Sequence, residues 1–150
     1  MNDSATIFNG ADWVDTDGNP IAAHEGDLAR FDGIFYWYGS SYANNPKGKF
    51  DVSDGPVWNG VQVYRSTDLK NWTYKGVCLP RPEKGFGRLG ATGRYHVMYN
   101  QKTKKYVMWY RWYLHVPASF LMVAVADHPE GPFTSLAHAR WAPQMALHRT

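Results

Sequence analysis

The chain spells out one run of short extended segments twice, and a duplicated unit that alternates with period two leaves few folds open. GIFYWYG at 33–39 resembles KYVMWYR at 105–111, and VQVYRSTDLKNW at 61–72 resembles LMVAVADHPEGPF at 121–133. Setting Trp37 against Trp109 gives an offset of 72 residues, and Val63 against Val123 gives 60. The difference of 12 is an insertion in the first copy, supplied by the polar, Gly- and Pro-rich stretch ANNPKGKFDVSDGPV at 43–57. Each copy divides into four short strands, expected at about 26–31, 34–40, 60–66 and 72–78, then 93–99, 105–112, 119–126 and 133–138. Turn signals separate them at Asp32-Gly33, Ser66-Thr67-Asp68, Asn100 to Lys104, and Pro129-Glu130-Gly131-Pro132. No stretch holds an i, i+3, i+4, i+7 apolar pattern for three turns, so helices are not expected.

A four-stranded antiparallel unit repeated in tandem is a propeller blade. The expectation is therefore an all-β chain forming one partial β-propeller domain over 1–150. Blade one covers about 22–79 and blade two about 92–138. Propellers close with 4–8 blades, so two blades leave apolar faces uncovered. The chain is expected to be part of a ring, or to pair with a second copy as a homodimer that completes it. Beyond Phe133 the alternation fades, and residues 135–150 read as the start of a third blade or as an irregular end.

Composition removes other classes. With 44% hydrophobic and 19% charged residues among 150, the chain is not a solvated disordered one. The single cysteine, Cys78, excludes an internal disulfide and a cysteine metal cluster, and reads as a buried strand residue. The six histidines lack metalloprotease spacing, Gly85-Phe86-Gly87 lacks the Lys-Ser/Thr of a phosphate loop, and no Gly-x-Ser-x-Gly elbow is present. Neither a metal nor a cofactor is expected. The net charge of +3 is interspersed except for Lys102, Lys104 and Lys105, which sit in a turn, so no nucleic-acid partner is expected. There is no apolar run of membrane-spanning length, hence no membrane partner. MNDSATIFNGADW lacks the basic-then-apolar order of a secretory signal.

Four motifs in order carry a family resemblance. Trp13-Val14-Asp15-Thr16-Asp17-Gly18-Asn19-Pro20-Ile21, followed by Ala23-His24 and Tyr36-Trp37-Tyr38-Gly39, resembles the start of glycoside hydrolase family 43, in its exo-β-1,3-galactanase-like branch. Tyr64 to Trp72, Tyr99-Asn100 with Tyr106 to Trp109, and Asp127 to Phe133 resemble the next three landmarks, so that the likeness covers about residues 12–134. The resemblance implies the N-terminal part of a five-bladed propeller related to enzymes that hydrolyse β-1,3-galactan in arabinogalactan side chains. It also implies an extracellular setting and a plant cell-wall β-galactan as partner. Such enzymes invert, using one acid for the leaving oxygen and a second group to activate water. They place this chemistry at the axial funnel, with an acid from the third blade. Where the family carries a second-blade glutamate before an arginine, this chain reads Gly93-Arg94, and where a histidine often follows Met-Trp it has Arg111. The expectation is thus a hydrolase-like domain weakly active or inactive alone; the alternative is a non-catalytic carbohydrate-binding or assembly module.

Candidate site residues follow from the inner strands and the inserted loop. Glu25 and Asp27 are the carboxylates near the first inner strand and are the candidates for acid or base work, expected on one strand face. His24 begins that strand, with an axial role or a structural hydrogen bond as its two readings. Arg94 holds a carboxylate or sugar hydroxyl, or pairs structurally. Trp37, Tyr38, Trp109 and Trp112 have flat faces suited to a pyranose, although the recurrence of Trp37 and Trp109 favours packing between blades. Trp58 and Phe50, in or beside the insertion, are candidate sugar platforms at a funnel rim.

Overall fold

The computed structural model describes Ile7 and residues 10–42, 58–83, 90–115 and 118–140. Eight strands follow one another: β1 His24–Phe31, β2 Ile34–Ser40, β3 Gly60–Ser66, β4 Thr73–Pro80, β5 Ala91–Asn100, β6 Lys105–His115, β7 Ala118–Ala126 and β8 Thr134–Arg140. They form two antiparallel sheets in the orders β1-β2-β3-β4 and β5-β6-β7-β8, which are the two blades the repeat predicts. No helix occurs among the described residues, and none there is long and apolar enough to cross a membrane. Residues 43–57, with Phe50, and residues 141–150 lie outside the described residues.

Local chemistry fixes the first turns. Asp32 and Gly33 both take left-handed backbone, with φ of 49° and 83°, the pair of values a two-residue hairpin needs to match strand twist. The corresponding turn of the second blade is longer, because Asn100 pairs with Lys105 rather than closing at two residues. The Asn100 side-chain oxygen accepts the N–H groups of Lys102 at 3.0 Å and Thr103 at 3.1 Å. Alternation then sorts each strand. Tyr36, Tyr38, Val61, Val63 and Cys78 of the first blade meet Tyr95, Val97, Met108, Tyr110 and Ala124 of the second in one buried layer between the sheets. β1 packs directly on β5, so these are the neighbouring inner strands.

The register corrects one sequence alignment. Tyr38 lies opposite Asp27 and Val63, and Trp109 lies opposite His96 and Val123. Tyr38, not Trp37, is therefore the counterpart of Trp109, with an offset of 71 in place of 72. A one-residue slip moves a side chain to the other sheet face. Trp37 packs edge-on against Trp13 and Trp72, with ring centroids at 5.6 and 5.4 Å. Trp109 alternates away from buried Met108 and Tyr110 and is 38% exposed. The two tryptophans do not share a packing layer between the blades. Runs of adjacent aromatics, Tyr36-Trp37-Tyr38 and Trp109-Tyr110, made residue identity a poor guide to register.

The blades are joined at two radii. Near the inner strands, Ser40 Oγ donates to the Thr92 carbonyl at 2.6 Å and bonds the Tyr95 hydroxyl, which also meets Thr92 Oγ1. At the outer side, the turn before β8 reaches back to the first blade. There Phe133 N–H donates to the Cys78 carbonyl at 2.7 Å, and the Tyr38 hydroxyl donates to the Pro129 carbonyl at 2.7 Å. The approach demands Gly131, since a Cβ there would come within 2.7 Å of the Cys78 oxygen. Ahead of β1, the segment from Trp13 to Ala22 lies against the other face of the first blade, where Thr16 N–H donates to the Trp72 carbonyl at 2.9 Å and Ala22 N–H to the Tyr64 hydroxyl at 3.0 Å.

Candidate functional site

Each inner strand carries a bulge at the same end. The register shifts between His24 and Asp27 in β1, and between Gly93 and His96 in β5. At each bulge one non-glycine residue is held in left-handed backbone: Glu25 at φ 49° and Arg94 at φ 55°. In the corrected register these are equivalent positions of successive blades, both just ahead of the pairs Asp27–Tyr38 and His96–Trp109. Such backbone costs about 1–3 kcal/mol per residue, and bulges re-aim side chains. Two opposite charges are thereby turned toward one place.

That place is Tyr113, near the end of β6. Its hydroxyl donates to Glu25 Oε2 at 3.2 Å, and Tyr113 is also the strongest influence on the Arg94 guanidinium. Tyr113 first, and then the Glu25 charge, raise the affinity of Arg94 for its proton above the ordinary value. Arg111 stacks on the Tyr113 ring with its guanidinium carbon 4.5 Å from the centroid. His24 is exposed at the start of β1, with its ring 5.3 Å from that of Tyr42; Tyr42 in turn donates to the Thr92 carbonyl at 3.2 Å. Tyr42 and Tyr113 stand at matching repeat positions in the 71-residue register, and both flank the cluster. Sequence reasoning missed Tyr113; the recurrence of a tyrosine just past each second strand's aromatic run is the signal that finds it, once the register is right.

The remaining candidates lie elsewhere. Asp27 does not share a face with Glu25, because the bulge breaks the alternation between them. Its carboxylate spans the seam instead, accepting the Val97 N–H at 2.9 Å with His96 Nδ1 at 3.4 Å. Trp58, expected as a sugar platform, is 2% exposed within the core, and its indole N–H has no partner among the described residues. Trp37 packs its ring edge-on against Trp13 and Trp72, with its indole nitrogen close against Gly26, next to Glu25. Trp112 and Tyr38 are buried, so neither presents a ring face to a ligand. Among the described residues, no group of three or more His, Cys, Asp and Glu lies close enough to hold a metal ion.

The cluster thus combines a carboxylate acceptor, a fixed cationic donor, a tyrosine and a histidine on an open surface at the inner strands. This set can bond several neighbouring hydroxyls of one small polar ring from both sides, as acceptor and as donor. Glu25, Arg94 and His24 are all exposed there.

No protein-family model matches the chain, and no curated protein matches it significantly. Solved structures do. An exo-β-1,3-galactanase from Clostridium thermocellum is 34% identical over 88% of this chain and 27% of its own, with a TM-score of 0.73. A family 43 β-1,3-galactosidase crystallised with galactodeoxynojirimycin is 36% identical over 88% of this chain and 38% of its own, with a TM-score of 0.74. An exo-β-1,3-galactanase from Phanerochaete chrysosporium, crystallised with galactose, is 30% identical over 89% of this chain and 30% of its own, with a TM-score of 0.77. The chain spans between 27% and 40% of the length of such galactanase and galactosidase chains.

Proposed function

The chain resembles the exo-β-1,3-galactanases and galactosidases of glycoside hydrolase family 43 in sequence and fold over 88% of its length, and from that premise we propose that its inner-strand cluster is a galactose-contacting surface for β-1,3-galactan. The observation that carries this reading is the convergence of two oppositely charged bulge residues, Glu25 and Arg94, on Tyr113. Strained backbone maintained at equivalent points of two strands points to use rather than stability. Binding rather than turnover is the favoured activity of the chain alone. Among the described residues of the inner strands, Asp27 is engaged with the backbone of β5 and position 93 carries no side chain, which leaves Glu25 as the carboxylate there, whereas inverting hydrolysis needs two groups.

Calorimetric titration of the full chain with β-1,3-galacto-oligosaccharides tests the proposal. Saturable binding is expected, weakened tenfold or more in Arg94→Gly and in His24→Ala, with no galactose released. Absence of binding overturns it, and galactose release that Glu25→Gln abolishes overturns the non-catalytic part. A second copy completing the ring is a further proposal, favoured by the exposed Trp109 and Leu136 on the second blade.

A further inference from the structure

Gly93 is glycine for a reason that the backbone does not supply. It is absent from the glycines held at positive φ, so an ordinary L-residue can adopt its conformation. The obstacle is a neighbour across the seam. A Cβ built on residue 93 would lie 2.8 Å from Glu25 Cδ, with Oε2 closer still and Glu25 Cβ at 3.4 Å. Those atoms end a side chain from the other blade, and they stop within the reach that an aspartate at position 93 would have. The Tyr113 hydroxyl bonds this same Oε2, and Tyr113 itself pairs with Ala91, two residues before Gly93. The carboxylate therefore stands over β5 although it belongs to β1. The left-handed backbone of Glu25 is what carries it there, because a residue in the alternating register at 25 would follow Asp27 onto the strand face that addresses Val97.

We propose that positions 25 and 93 hold one carboxylate between them, that in this chain Glu25 supplies it across the blade seam over Gly93, and that it is the specificity-determining acceptor for a hydroxyl of the bound galactopyranose. The ligand part rests on the galactan-binding reading above; the spatial part does not. Arg94, adjacent to Gly93 and under the influence of the same tyrosine, supplies the matching donor, so a hydroxyl at this point both donates to Glu25 and accepts from Arg94.

Four variants of the full chain decide it: Glu25→Gly, Gly93→Ala, and the doubles Glu25→Gly/Gly93→Ala and Glu25→Gly/Gly93→Asp. Glycine at 25 suits the left-handed backbone, so these proteins are expected to fold. In thermal melts, Gly93→Ala is expected to lower Tm by a small margin, because the carboxylate that must give way ends a flexible side chain, and Glu25→Gly to abolish that loss in the double. Equal losses with and without Glu25 overturn the shared-volume claim. In titrations with β-1,3-galactobiose, Glu25→Gly is expected to weaken binding tenfold or more, and Gly93→Asp in that background to recover most of it. An unaffected Glu25→Gly, or a swap no tighter than Glu25→Gly, overturns the role of the carboxylate. If the wild-type chain binds no galactobiose, the site reading falls together with the ligand role, and the melts still decide whether the two positions share one volume.

Discussion

Cys78 and Asp68 show how far single residues can be read. Cys78 sits in β4 at the blade seam, fully buried, and burial pushes its thiol well above the usual range. The protonated thiol is a poor nucleophile. Iodoacetamide at pH 8 is expected to leave the native protein unlabelled and to label it rapidly in denaturant, as mass spectrometry will report. Asp68 is exposed, yet the N–H groups of Asn71 and Lys70, at 2.8 and 2.9 Å, hold its carboxyl well below the ordinary value. Its stabilising share is fully present above the carboxyl range of the unfolded chain and fades as pH falls through it toward the lower folded value. The Tm difference between wild type and Asp68→Ala should thus be largest near neutrality and shrink below pH 4. Both residues stand out in the sequence, one as a lone cysteine in a strand and the other in the Ser-Thr-Asp-Leu turn. Tyr113 does not, because its importance arises from a partner 88 residues away.

At the scale of elements, the strands and their order were legible because alternation and turn residues are local properties. Register was not. The 71-residue offset between β2 and β6 depends on which side chains meet across the seam, and no local pattern reports that. Bulges were equally hidden: His24-Glu25-Gly26-Asp27 reads as plain alternation, and the extra residue that separates Glu25 from Asp27 shows itself in the pairing of β1 with β2. The bulges carry a prediction of their own. Arg94→Gly replaces a left-handed arginine with the residue that accepts that backbone freely, so its Tm should be no lower than that of wild type while galactan binding falls. A clear loss of Tm would mean that the interaction of Arg94 with Tyr113 outweighs the strain.

At the scale of the whole molecule, the two blades share a single buried layer, and the bonds across the seam tie them at both radii. Tyr38→Phe removes the hydroxyl that reaches Pro129 and should destabilise the protein by about 1 kcal/mol, measured by urea denaturation, with one transition retained. Two separated transitions would show that the blades fold apart. The outward face of the second blade bears Trp109, with Val107, Leu121 and Val123 half-buried around it. If a second copy covers this face, light scattering will give a dimer mass that Trp109→Ser reduces to a monomer.

The paired ties across the seam also bear on how a ligand is met. A joint fastened along one line opens like a book, whereas one fastened along two parallel lines cannot. Ser40, Thr92 and Tyr95 form the inner line, and Cys78, Pro129 and Phe133 the outer one. Glu25 and Arg94 come from opposite leaves of this joint, so the gap between them is set before any sugar arrives. Association then requires no closing step, and its rate should rise in proportion to sugar concentration without reaching a plateau.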